Sequence, residues 1–449
     1  MVIIKEKERS MVKPSEKTPH RRLWLSMLDL MENPIHNPVV YFFRSSNNNN
    51  NNNKNNFFDA NILKQSLSRV LVPFYPIAGR FGVDHSGRTE IDCNEEGVLF
   101  VTAETTAVID DFGDFAPTPI LRSLTPTVDY SLGISSYPFL LVQVTYFKCG
   151  GVSVGIAIHH FIVDGISAFH FIESWSRIAR GLEITIPPFL DRTLLKPDHD
   201  QNPILDQSCK PADHNNNNLD GQQQNINTSK NNETKVAIFN INKEQLNTLK
   251  AKAKEDNNNT NNFSSFESLA SHIWRCICQA REQSDDEEST LYFPVNGRFS
   301  NRLTPQLPLG YFGNVIFAAT PMIKVGDLKT KSLSYVVSYV HRELEKMDND
   351  YLRSNIECLE LQQANVSSIR RKTNTYVCPN LGITSWVRLI NYDEVDFGWG
   401  RAIYIGPGGF MYEGKSYVIP CPNNDGSLLV GIALQPQHMK TFEKLFYQI

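Results

Sequence analysis

From Asp198 to Glu233 the chain is rich in Asn, Gln, Asp and Ser and carries few apolar residues. A stretch of that composition cannot bury enough apolar surface to offset the entropy of ordering it, so it divides a core rather than extending one. It falls near the middle of a chain of 449 residues, a length too great for one ordinary core. The expectation is two domains of similar size, residues 1–197 and 235–449, joined by a polar crossover at 198–234. Two shorter tracts, Asn47 to Asn56 and Asn257 to Asn262, read as expansions of tolerant loops.

On either side of the crossover the hydrophobic pattern alternates between helical and strand periods. Ile62, Leu63, Leu67, Val70 and Leu71 share one face of a helix over Asn61 to Leu71. Pro138 to Phe147 and Val152 to Ile158 read as a hairpin closed at Lys148-Cys149-Gly150-Gly151. Ile166 to Arg180 predicts a helix with Phe169, Ile172, Trp175 and Ala179 on one face, stopped at Gly181. Ser264-Ser265-Phe266-Glu267 opens a helix running through Arg281, because serine followed three places later by glutamate can bond both free backbone amides. Strands are predicted at Thr290 to Val295, Val315 to Ala318, Ala402 to Ile405, Tyr417 to Ile419 and Leu428 to Leu434. Helices and strands in mixed order, without regular alternation, point to an α/β protein of mixed α+β layers.

Charge and cysteine usage remove several function classes. A formal net charge of −4 gives no electrostatic footprint for nucleic acid. No apolar run is long enough to span a bilayer, and Met1 to Lys17 lacks the apolar stretch of a signal peptide, so a cytoplasmic protein is expected. The eight cysteines contain no Cys-x-x-Cys pair, which argues for reduced thiols and against a zinc module.

The chemistry concentrates in His159-His160-Phe161-Ile162-Val163-Asp164-Gly165, which follows the predicted strand. Neighbouring histidines on a strand point to opposite sides, so one can face a cleft. His160, four residues before Asp164, is the better candidate base; the bland alternative is a satisfied core histidine with Asp164 capping a turn. A metal set from His159, His160, Asp164 and His170 would be weak, and none is expected. Gly151-Val152-Ser153-Val154-Gly155 matches a hydrolase nucleophile pattern, but the alternation continues through Ser153 where that motif needs a turn into a helix. Asp396-Phe397-Gly398-Trp399-Gly400 reads as a tight structural loop.

His160-x-x-x-Asp164-Gly165 and Asp396-Phe397-Gly398-Trp399-Gly400, in this order and half a chain apart, resemble the plant BAHD acyltransferases, which use coenzyme A thioesters. Leu71 to Arg80, Ile109 to Pro117, Gly310-Tyr311-Phe312-Gly313-Asn314 and Cys378 to Trp386 narrow the resemblance to members that transfer hydroxycinnamoyl groups to shikimate or quinate. It covers the chain from about Leu23 onward. It implies two chloramphenicol-acetyltransferase-like domains with a channel between them, and the catalytic histidine at its centre. It further implies that Asp164 turns from the channel to pair with Arg298, and that Asp396 to Gly400 is structural.

The resemblance places Arg371 as a handle for the acceptor carboxylate, Thr384 and Trp386 at the same end, and His36 and Tyr41 near the acceptor. Acyl-coenzyme A is a co-substrate; no permanently bound cofactor, no nucleic-acid partner and a monomer are expected. Two departures, the bulkier Phe161-Ile162-Val163 and Val39, touch the acceptor end. They leave open shikimate, quinate, another hydroxy acid or an amine. A catalytically silent binding protein is the remaining alternative.

Overall fold

The computed structural model describes residues 2–45, 57–197, 234–255, 262–299, 302–362, 378–410 and 412–449. Two large sheets carry the fold. The first runs in the order Ile4–Val12, Val98–Thr105, Leu140–Phe147, Val152–His159, His36–Phe43 and Tyr404–Pro407. The second runs Ile316–Ala319, Glu288–Asn296, Leu381–Ser385, Lys415–Pro420, Leu428–Leu434 and Lys235–Ile241, with Met322–Lys324 paired beside it. Both sheets mix parallel and antiparallel pairs.

Local chemistry explains the elements. The hairpin forms as predicted, Leu140–Phe147 against Val152–His159, with Gly150 supplying a positive φ of 79° at the turn. The helix Ala60–Val70 starts where Asp59 accepts from the amides of Asn61 and Ile62, and buries Leu63, Leu67 and Val70, while Ile62 faces solvent. Ser264 and Glu267 bond reciprocally at the head of Ser265–Ala280.

Two large buried clusters form, one against each large sheet, with a small third of Leu99, Val101, Leu141 and Ala157 on the first sheet. The first takes most of its side chains from the first half of the chain, yet it also holds Ile390, Tyr392, Val395, Phe397, Ala402, Tyr404 and Ile405. The strand predicted at Ala402 to Ile405 is Tyr404–Pro407, and it pairs with His36–Phe43 rather than with the second sheet. The apolar strand His36–Phe43 would otherwise expose an unpaired edge. The linear division at 198–234 therefore does not separate the two cores cleanly: the segment around residues 390–407 crosses to the first, and Leu28 and Leu195 belong to the second. No described helix is long and apolar enough to cross a membrane. Cys358 is disulfide-bonded, a departure from the expected reduced thiols; the other six described cysteines are free.

Candidate active site

The strand Val152–His159 delivers two histidines to different fates. His159 is fully buried. Its ring lies among His36, Phe81, Tyr137 and Phe161 at centroid distances of 4.8 to 5.7 Å, and its Nδ1 accepts from the Phe161 amide. His160 lies just past the strand end, its amide bonded to the Ile35 carbonyl. Its side chain is 21% exposed. Its Nδ1 is closed off without a hydrogen-bond partner, while its Nε2 stands 3.4 Å from the Glu32 carboxylate. The open nitrogen of the open histidine is thus the candidate base.

Ser153 is fully buried mid-strand and its hydroxyl reaches no described partner, so it has no base to activate it. The flanking glycines have packing reasons: a Cβ on Gly155 would lie 2.0 Å from the Leu124 carbonyl oxygen, and one on Gly151 would lie 2.3 Å from Ile109.

The loop after His160 is clamped twice. Asp164 caps the helix Gly165–Ala179 by accepting from the Ser167 amide. It also takes a bidentate bond from Arg298 at 2.6 and 3.2 Å, and one from the Val315 amide at 3.0 Å. The Asp164 carboxylate is saturated and fully buried, so it is in no position to relay a proton. Arg298 also bonds the Gly313 carbonyl and the Ser167 hydroxyl.

The second clamp is absent from the sequence reading. Asp29 is fully buried; one carboxylate oxygen closes a capping box with Ser26. The other accepts from the Asn314 amide and side chain at 2.8 and 2.9 Å, and pairs with Arg192 at 3.0 Å. Arg192 donates onward to the carbonyls of Phe161 and Ile162, and Asn314 to that of His160. Three consecutive carbonyls of the His160 loop are therefore held by groups that converge on Asp29. The only local signal was Ser26-x-x-Asp29; its partners lie far off in the chain.

At the proposed acceptor end, Thr384, Lys415 and Tyr417 come from adjacent parallel strands. The Lys415 ammonium donates to the Thr384 hydroxyl, which keeps its own hydrogen to donate. Lys415 is a cation that the sequence reading did not single out. Trp386 packs on Tyr417 and on Phe169 of the helix capped by Asp164, at 5.1 and 5.9 Å. Arg371 lies outside the described residues.

His36 and Tyr41 are placed differently from the expectation of acceptor contact. His36 is buried, its nitrogens bonded to the Tyr130 hydroxyl and the Pro138 carbonyl, and burial pushes its pKa down to about 4. Tyr41 is fully buried on the same strand, and burial raises its phenol. The rings of Tyr130, Tyr137 and His159 close over His36 and Tyr41 has no exposed surface, so both side chains are walls rather than open contacts. Among the described residues no group of three or more His, Cys, Asp or Glu could hold a metal ion; His170 bonds the Ile186 carbonyl.

A transferase family model matches residues 2–449, essentially the whole chain. The chain belongs to the BAHD acyltransferases. It is a coenzyme A-dependent acyltransferase. It is 51% identical to a shikimate O-hydroxycinnamoyltransferase of Nicotiana tabacum, over 99% of both chains. It is 44% identical to a hydroxycinnamoyl-CoA:5-hydroxyanthranilate N-hydroxycinnamoyltransferase of Avena sativa, over 98% of both. Among solved structures it resembles vinorine synthase, with a TM-score of 0.71, 22% identity and coverage of 98% and 96% of the two chains. That likeness speaks for the shared fold of two chloramphenicol-acetyltransferase-like layers.

In this BAHD acyltransferase the Asp396–Gly400 segment is a bracket. Asp396 accepts from the amides of Gly398 and Gly400 at 2.7 and 2.9 Å. Both glycines sit at φ near +100°, where a side chain would be strained. The turn drives Phe397 into the first core, 4.8 Å from the Trp175 ring, and lays Trp399 on Phe58. Trp175 is eleven residues beyond Asp164 on one helix, about 16 Å along its axis. The motif thus braces the far end of the helix whose near end anchors the His160 loop.

Proposed function

We propose that the protein transfers a hydroxycinnamoyl group, p-coumaroyl or caffeoyl, from coenzyme A to a hydroxyl of shikimate or quinate, with His160 as general base. The observation that carries this reading is the open Nε2 of His160 on a loop whose backbone is fixed by two buried carboxylate clamps, in a chain 51% identical to a shikimate O-hydroxycinnamoyltransferase. An alcohol is a poor nucleophile until its proton leaves, and an imidazole is the side chain suited to take that proton near neutral pH.

His160 Nε2 takes the proton as the acceptor oxygen bonds to the thioester carbonyl carbon. The tetrahedral intermediate then collapses, the carbon–sulfur bond breaks, and the imidazolium returns the proton to the departing thiolate. No acyl-enzyme forms, so no nucleophilic Ser or Cys is needed. The Thr384 hydroxyl, polarised by Lys415, is a donor for the acceptor or the developing oxyanion. Arg371 supplies the carboxylate handle, since a guanidinium fork fits a carboxylate bidentately. Trp386 forms the aromatic wall of that end, and His36 and Tyr41 shape the strand behind it. The protein works as a cytoplasmic monomer that needs no resident cofactor.

Purified protein with p-coumaroyl-CoA should release thiol in the presence of shikimate or quinate. His160→Ala should lower kcat by about 100- to 10,000-fold, and Arg371→Ala should raise the KM for the acceptor. Undiminished turnover in His160→Ala would overturn the base; spermidine outperforming both acids would overturn the acceptor.

A further inference from the structure

We propose that Glu32 selects the acceptor, its carboxylate taking a hydrogen bond from a second donor, hydroxyl or ammonium, carried next to the attacking group. The inference rests on His160 Nε2 being the base. Glu32 Oε2 stands 3.4 Å from that nitrogen, and the two side chains are 25% and 21% exposed. That separation is longer than a good hydrogen bond, so the two groups are near without being locked together. An acceptor atom that reaches Nε2 therefore also comes within range of Oε2. The two oxygens of a gauche vicinal diol lie about one hydrogen-bond length apart, which matches this pair of neighbouring acceptor sites: one takes the attacking hydroxyl, the other its neighbour.

Glu32 closely follows the short helix Met27–Leu30, which carries Asp29, the buried hub that also holds Arg192 and Asn314. Asn314 in turn bonds the His160 carbonyl. One network therefore sets both the base and the carboxylate beside it. No lysine or arginine pairs with Glu32 among the described residues, so its charge remains available to a donor.

An ionised carboxylate only accepts hydrogen bonds. It favours a hydroxyl or ammonium in that place and repels another carboxylate. Polyol acids such as shikimate and quinate, whose nucleophile adjoins a second hydroxyl, fit. An α-hydroxy acid such as hydroxyphenyllactate, whose nucleophile adjoins its own carboxylate, is disfavoured.

The test uses the full-length enzyme with p-coumaroyl-CoA and compares kcat/KM for shikimate with that for the analogue lacking the hydroxyl next to the acylated one. The ratio is taken in wild type, Glu32→Gln and Glu32→Leu, each checked for an unchanged melting temperature. A charge-assisted bond to one hydroxyl should make the wild-type ratio about ten- to a hundredfold. Glu32→Leu should bring it close to one, and Glu32→Gln should leave it between. A wild-type ratio near one, or a ratio that survives Glu32→Leu, overturns the inference while leaving the acceptor reading intact. If neither shikimate nor quinate turns over, the acceptor reading fails by itself. Hydroxyphenyllactate then decides the inference: Glu32→Gln should speed its turnover, and an unchanged or slower rate overturns it.

Discussion

The two carboxylate clamps around the His160 loop look alike but hold it by different means. Asp164 lies within the loop's own motif and reaches outward to Arg298, whose side chain is 13% exposed. Asp29 lies far away in sequence and is tied to the loop only through Arg192 and Asn314, with Arg192 2% exposed. Asp164 keeps the Ser167 and Val315 amides if its arginine is lost. Losing Arg192 strips the loop of two carbonyl contacts and leaves Asp29 without its counter-ion. The contrast suggests that the motif clamp orients the loop, whereas the remote clamp supports its backbone and carries more of the stability.

That contrast can be broken by measurement. Arg192→Met should cost about 3–5 kcal/mol in urea unfolding, the scale for a buried pair deprived of one partner. Arg298→Met should cost less, about 1–3 kcal/mol, because Arg298 is the more exposed of the two arginines, while kcat falls more than stability suggests. Equal losses in the two variants would erase the distinction. The smallest effect concerns a third carboxylate, Glu173, which has Glu394 rather than a cation beside it; burial first, and that neighbour second, raise its pKa to about 7. A carboxyl raised in the folded state holds its proton more tightly there than in the unfolded chain. Stability is therefore lost as pH rises from about 4.5 to about 7. Glu173→Gln should flatten that fall, with a gain in melting temperature of a few °C at pH 8 and little change at pH 4. An identical pH profile in variant and wild type would mean that the unpaired carboxylate has no cost.

What the sequence made legible follows the range of the interactions. The hairpin, the helix capped by Asp164 and the capping box at Ser264 are written in local spacing, and all appear within a residue or two of their expected ends. His160 and Asp164 sit four positions apart, so strand geometry and a turn sufficed to single them out. The Asp29–Asn314 bond spans 285 positions, and no local pattern encodes which distant amide will meet a carboxylate. The same limit hid Glu32, an ordinary acidic residue until the fold sets it beside His160. It also hid the pairing of Tyr404–Pro407 with His36–Phe43, because an alternating apolar run shows that a strand forms but not which sheet it joins.

That crossing strand has a consequence for how the protein is made. Synthesis proceeds from the N-terminus, and the first sheet lacks its outer strand until residue 407 has been added. The first core likewise lacks Phe397 against Trp175 until then. A nascent chain ending between the crossover and residue 407 carries His36–Phe43 as an open apolar edge, the kind of surface that invites pairing with other chains. The half that carries His160 therefore cannot mature ahead of the rest, and a chain cut at the polar crossover would be left with an unfinished sheet rather than a smaller enzyme.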